Sequence, residues 1–441
     1  MGLHRFKLAF SLVDKMNVRP AREFNVPGIN RWGIAVAGFL LQMTLGSVYA
    51  WSVFKAPLTR QFHWATSDVT FAFTVAIFTL GIAAFVGGFW MNRIGPRPVA
   101  MMGGFFYGLG VFLASFSTHG LGWLYLTFGL IGGVGLGFGY IVPVAVLVRW
   151  FPDRRGFITG LAVCGFGAGA LVTAPLAVRL IQAVGVLRTF GWLGIGFLVL
   201  GVASGFFMKD PPADYCPAGW TPSLRVARQR TEHSWTLYEA LGSWQWWALW
   251  LLLFLNTSAG ISLISQESPV FTELTGASAI IAAAMVGVAS VGNAAGRFFW
   301  AGASDIITRR WTFVSMFALQ IGLFWMLPQF KASWVVAMIA FLILMCYGGG
   351  FGTMPAFVAD YFGDANVGPI YGLMLTAWGA ASVFGPMLTA TLHDSSGSYR
   401  SGLHIIAAMM AVSVVLPILV RPPRVRSASV SWSPPSVESE L

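Results

Sequence analysis

Residues 88–97 read GFWMNRIGPR, and residues 301–310 read AGASDIITRR. Both are short polar, basic stretches between long apolar runs. They align at an offset of 213, which sets Asn92 against Asp305 and Arg97 against Arg310. Two further echoes share that shift. RWFPDRRG at 149–156 pairs with DYFGDANVG at 360–368, setting Asp153 against Asp364 at an offset of 211. The Gly-rich stretches GLGFGYIVP and GGGFGTMP end at Pro143 and Pro355, an offset of 212. One coincidence would mean little; three at one shift indicate duplication of a unit of about two hundred residues.

The apolar runs around these loops set the fold class. A membrane-spanning helix needs about 20 largely apolar residues. Runs of that size occur near 32–54, 68–90, 98–117, 122–148, 157–181 and 190–208. A second six follow near 244–266, 278–302, 312–328, 334–358, 369–391 and 402–420. They show no dyad alternation, which excludes a barrel. The composition agrees, with 56% of residues hydrophobic and 10% charged, whereas soluble domains run near a quarter charged. The 52 Gly and 19 Trp fit membrane helices and their interfaces. The expected fold is an all-α membrane protein of twelve helices in two pseudo-symmetric six-helix bundles.

Charge sets the expected orientation. With the N-terminus inside, twenty Lys/Arg fall in inner segments and five (Lys55, Arg60, Arg188, Lys331, Arg400) in outer ones. That bias places both termini in the cytoplasm. The net charge of +11 is spread between apolar runs, so it does not mark a nucleic-acid partner. The first thirty residues are basic and mixed, without an apolar core ending in a cleavage site, and read as a cytoplasmic tail. Bundles over 31–208 and 244–420 are then joined by a Pro-rich polar linker, 209–243. Residues 421–441 form a Ser/Pro-rich tail read as disordered. Cys164, Cys216 and Cys346 have no metal-ligand or disulfide spacing, so neither a metal nor a cofactor is expected.

A duplicated unit suits a carrier, because two similar bundles can rock about a site at their interface. Asn92, Arg93 and Arg97, Asp153 and Arg154, Asp305, Arg309 and Arg310, and Asp364 would then form a cytoplasmic latch. The plainer reading of the arginines is positive-inside charge alone.

The loop GFWMNRIGPRP resembles the loop between helices two and three of the major facilitator superfamily. More narrowly, the chain is similar to the oxalate:formate antiporter family. The segments that carry the likeness are SVYAWSVFKAPL at 47–58, RWFPDRRGFITGLAVCGFGAG at 149–169, DPPADYCPAGWTP at 210–222, GNAAGRFFWAGASD at 292–305 and YGLMLTAWGAASVFGP at 371–386. The resemblance covers about residues 30–420. It implies two bundles working by alternating access in a bacterial cytoplasmic membrane. The chain departs from the pattern at Asn92, where the family has an acid, and at Pro96, which interrupts the loop.

Polar groups inside spans face the bundle interior and mark function. Arg297 lies in the eighth span, where a guanidinium can hold a carboxylate through two parallel hydrogen bonds. The resemblance implies the same role for it; the plainer readings are an arginine snorkelling to the interface or one paired with Asp305. The resemblance also places a second cation, a lysine, in the eleventh helix, where this chain has Trp378. One fixed cation balances one negative charge, so a monocarboxylate is expected over oxalate. Trp378 would wall the site or stack on the guest. Gln42, Tyr49, Tyr140, Asn256, Tyr347 and Tyr371 are further candidates to cage a small acid, and Asn293, one turn before Arg297, could orient its guanidinium. For each of these, interhelical bonding is the plainer reading.

Coupling is poorly legible. Lys55 sits near a lysine used in proton coupling by the similar monocarboxylate transporters. Glu267 and Glu273 read as outer-end residues. Proton symport and anion exchange both stay open. The expected partners are a small organic anion, protons or a counter-anion, and the bilayer, with the chain acting as a monomer. A carrier of another class (oxalate and formate, nitrate or a drug) and a receptor-like protein that moves nothing are the alternatives. No P-loop, HExxH or GxSxG motif supports an enzyme or direct ATP drive.

Overall fold

The computed structural model describes residues 30–153, 155–212, 215, 217, 235–363 and 366–423. The tails, most of the linker, Arg154 and Asp364 lie outside the described residues, as does the side chain of Asn92. Among the described residues, twelve helices are long and apolar enough to cross a membrane. They are α1 (Arg31–Phe62), α2 (Thr66–Met91), α3 (Pro96–His119), α4 (Leu121–Trp150), α5 (Gly160–Val184), α6 (Val186–Phe206), α7 (Trp244–Thr275), α8 (Ala279–Ile307), α9 (Arg309–Gln329), α10 (Ser333–Phe362), α11 (Pro369–Ser396) and α12 (Arg400–Leu419). Strands are absent among the described residues. Outward faces are apolar: Trp192 is 63% exposed, Trp334 76% and Val412 78%. Water would penalise such a surface and lipid does not.

The duplication is visible in the backbone. Positive-φ residues of matching geometry recur in two pairs, His63 with Gly276 and Gly95 with Thr308, both 213 apart. His63 and Gly276 end α1 and α7. Each of these two turns is thus built twice, once with a non-glycine. Thr308, β-branched and at φ 74°, sits where only glycine is free of steric cost. The amides Gln42 and Asn256 also correspond. Gln42 Nε2 donates to the Tyr140 carbonyl at 3.1 Å, and Asn256 Nδ2 donates to the Cys346 and Tyr347 carbonyls at 3.4 and 3.3 Å. Each ties the first helix of its bundle to the fourth.

Within a bundle, glycine lets helices meet backbone to backbone. A Cβ on Gly46 would lie 2.0 Å from the Phe166 carbonyl oxygen of α5. Substitution of Gly46 by Val should therefore separate α1 from α5, at a cost of at least ~3 kcal/mol. A lower denaturation midpoint in detergent, with loss of monodisperse protein, checks this.

The bundles meet along two seams. On one, Ser290 of α8 donates to the Gly167 carbonyl of α5 at 2.6 Å, and Phe157 meets Phe298 edge to face at 5.4 Å. On the other, Thr74 of α2 and Ser382 of α11 donate to each other's carbonyls at 3.0 and 3.2 Å. Towards the ends of α1 and α7, Lys55 Nζ donates to Gln266 Oε1 and reaches the Ser265 carbonyl. We call this the Lys55 face. At the opposite, basic face a cleft of about 200 Å³ opens between α2, α4 and α11, lined by Phe85, Gly88, Ile141, Arg149, Asn366 and Gly372 among others.

Candidate functional site

Arg297 sits on α8, ten residues before Ile307, or about 15 Å from that helix end. Its side chain has no exposure at all. Nε donates to Asn293 Oδ1 at 3.2 Å, the orientation expected of a residue one turn earlier. Both terminal nitrogens, Nη1 and Nη2, are buried and make no well-formed hydrogen bond, although the Tyr49 and Tyr140 hydroxyls lie close enough to interact with the guanidinium. Asp305 pairs instead with Arg309 at 2.6 Å. The snorkelling and Asp305-paired alternatives therefore do not describe this side chain.

Aromatic rings from both bundles enclose the guanidinium. Its central carbon lies 5.0 Å from the Phe351 ring of α10 and 5.6 Å from the Phe166 ring of α5, a cation–π arrangement. Tyr49 (α1), Tyr140 (α4) and Tyr347 (α10) lie within electrostatic reach of it, as does Tyr371 (α11). The Tyr49 and Tyr347 hydroxyls are 2.7 Å apart and bridge the two bundles. Trp378 of α11, wholly buried, packs edge to face on Tyr140 at 5.3 Å, Phe166 at 5.5 Å and Phe351 at 4.6 Å. Trp378 Nε1 and Asn293 Nδ2 are also buried without partners, and the Tyr140 hydroxyl faces Arg297 and Tyr371. The chamber thus holds one cation and free donors, and no carboxylate pairs with the cation. A group of three or more His, Cys, Asp or Glu able to hold a metal is absent among the described residues.

The remaining candidates sit elsewhere or act differently. Gln42 and Asn256 direct their amide nitrogens to backbone carbonyls beside Tyr140 and Tyr347, and Asn256 Oδ1 accepts from Gln320 at 3.2 Å. They hold the helices that carry the tyrosines. Several pairs of the basic face join residues of one bundle. Arg31 pairs with Asp153 at 2.8 Å, and Arg309 pairs with Asp305 and Asp360. Arg310 donates to the Pro417 and Ile418 carbonyls. The Arg97 guanidinium lies 4.5 Å from the Phe206 ring, and Arg93 is exposed. In this conformation they brace each bundle's own loops. Phe166 and Phe351 carry no polar signal in the sequence. Phe166 could have been found from its flanking Gly165 and Gly167, which let a bulky ring stand at a close helix contact.

Comparison with known proteins agrees with this architecture. The model of the Major Facilitator Superfamily matches residues 34–354 and, in an overlapping second match, residues 268–438. The chain is 28% identical over 358 residues to the uncharacterized MFS-type transporter YhjX of Escherichia coli (strain K12), covering 80% of this chain and 86% of that one. It is 27% identical over 400 residues to the oxalate:formate antiporter of Oxalobacter formigenes, covering 89% and 92%. It is 26% identical over 412 residues to apicoplast pyruvate carrier 1 of Toxoplasma gondii, covering 79% and 74%. With twelve spans and a family match across both bundles, the chain belongs to the Major Facilitator Superfamily, as a multi-pass transporter of the cell membrane.

Proposed function

We infer that this transporter carries small monocarboxylates by alternating access, with Arg297 binding the carboxylate. The observation that supports it is the buried Arg297 guanidinium whose Nη1 and Nη2 make no well-formed hydrogen bond. A buried cation without a counter-charge is costly, and a carboxylate supplies two acceptors in matching geometry. The names of two relatives, an oxalate:formate antiporter and a pyruvate carrier, point to the same substrate chemistry. Trp378 supports the restriction to one negative charge, since an indole fills the space across Phe351 and Phe166 from Arg297. Trp378 and Asn293 have free donors for the guest's remaining oxygen atoms.

The chamber around Arg297 is closed in this conformation, so the guest enters only when the bundles rock apart, and the cleft on the basic face marks where that side begins to open. Opening the other side requires Lys55 to leave Gln266, which makes Lys55 the candidate for coupling. The intrabundle pairs of the basic face keep each bundle rigid while they rock. In proteoliposomes, a radiolabel panel of formate, lactate, pyruvate, oxalate and nitrate, with and without a pH gradient, tests the reading. Uptake of one or more monocarboxylates well above oxalate and nitrate is the expected result. Absence of carboxylate flux, or equal flux of an uncharged drug, overturns it.

A further inference from the structure

The polar side of α7 does not end at Asn256. Ser258, Ser262, Gln266 and Glu267 follow it, all buried. Glu267 lies eight residues before Thr275, about 12 Å from that end of α7, in the outer part of the span. It is 2% exposed, and its Oε1 is buried without a hydrogen-bond partner.

Its surroundings offer no compensation. Asn256, Gly260 and Glu267 share one helical face, being four and then seven residues apart. Asn256 abuts Gly350 of α10, and a Cβ on Gly260 would meet Tyr347 at 2.3 Å. Towards its start α10 is buried and apolar at Val336, Ala340 and Ile343. Between Ser333 and Ala359, α10 has no charged residue. The other elements against α7 carry charges that are engaged elsewhere or distant. Lys55 of α1 donates to Gln266 and the Ser265 carbonyl, and Arg60 of α1 is six residues from Phe54 towards the helix end. On α11, His393 faces Glu273 at 3.5 Å and Asp394 at 3.7 Å. The Tyr399 phenol donates to Gln266 at 3.2 Å, and Arg400 of α12 donates to Gln329 at 2.8 Å. His404 of α12 stacks on Trp325 at 4.4 Å. On α8, Arg297 belongs to the central cage and Asp305 pairs with Arg309.

We propose that Glu267 is a proton-binding site that gates the Lys55 face. The bundles close over it when it carries a proton, and it ionises when they part. An ionised carboxylate held 2% exposed with no ion pair or hydrogen bond among the described residues is a costly state to populate. The neutral acid fits the closed face. The cross-bundle clamp lies on the adjacent residue, Gln266, so release of Lys55 brings water to this stretch of α7. A proton thus binds the closed state better than the open one, and a ligand shifts an equilibrium by its differential affinity for the two states. Lower pH at that face favours closure.

Pulsed electron paramagnetic resonance tests this without reference to the carried substrate. Gln61 and Ser278 are exposed on opposite bundles at the Lys55 face. Spin labels are placed on cysteines at both, in a background with Cys164, Cys216 and Cys346 replaced by alanine. Between pH 5 and 8 the closed-to-open ratio of the parent should rise by at least ~10-fold as pH falls. In Glu267→Gln, which mimics the neutral acid, the ratio should stay at the acidic value throughout. A pH-independent parent overturns the proposal, and so does a Glu267→Gln variant that follows the parent's profile. Glu267→Asp should keep the pH response, which separates titration from packing. A gate that responds in a protein without carboxylate flux would refute the monocarboxylate reading and leave this one standing.

Discussion

Arg297→Gln should abolish carboxylate uptake while the protein inserts and stays folded. Removing one partner of a buried, hydrogen-bonded charge pair costs ~2–5 kcal/mol, which at 1.4 kcal/mol per tenfold is a loss of roughly thirty- to several-thousand-fold in apparent affinity. Arg297→Lys keeps the charge and loses the planar two-donor fork, so it should transport weakly. Thermal unfolding gives an opposite signature. In the empty protein, Nη1 and Nη2 are buried without a well-formed hydrogen bond, so replacing the guanidinium by a neutral amide relieves an uncompensated charge. The midpoint of empty Arg297→Gln should be equal to or above that of the parent. Added substrate should raise the midpoint of the parent alone, by about 2.7 kcal/mol of stabilisation at a hundred times the dissociation constant. Undiminished uptake by Arg297→Gln would end the anion assignment. A large drop in its midpoint would mean that the arginine is a structural member of the core.

The uneven legibility of this molecule in its sequence has physical causes. Lipid demands about 20 apolar residues per crossing, so the twelve spans stand out without any tertiary information, and the offset of 213 recurs in the backbone as paired positive-φ turns. Arg297 was legible because an arginine within a span has few outlets. The rings about it were only partly so. Tyr49, Tyr140, Tyr347 and Tyr371 come from four helices, and their convergence depends on helix rotation, which no local pattern encodes. Phe166 and Phe351 bear on the cation through ring faces and look like any core residue. Amides were ambiguous for a related reason. Gln42 and Asn256 could serve a guest or a neighbouring carbonyl, and their geometry selects the carbonyls. The burial of Glu267 was not legible, because apolar runs mark where a span can lie and not which of its residues a neighbouring helix covers. α7 continues to Thr275, past the run's apparent end.

Trp378→Lys should move preference towards dicarboxylates, because it would place a second cation in the same aromatic cage. Trp378 and Arg297 share two walls: Phe351 lies 4.6 Å from the indole and 5.0 Å from the guanidinium, and Phe166 lies 5.5 and 5.6 Å from them. At a separation of ~8 Å and an effective dielectric of ~20, a unit charge pair is worth about 2 kcal/mol. Oxalate should therefore gain roughly thirtyfold in competition against a monocarboxylate. The empty variant should be less stable than the parent, since two like charges would then share a dry chamber, and oxalate should restore that stability more than a monocarboxylate does. Trp378→Ala separates charge from shape, as it removes the wall without adding a cation. It should weaken monocarboxylate transport and leave oxalate ignored. If Trp378→Lys and Trp378→Ala both keep the parent's preference and rate, the indole does not line the chamber. The restriction to one negative charge would then have to come from the lone guanidinium alone.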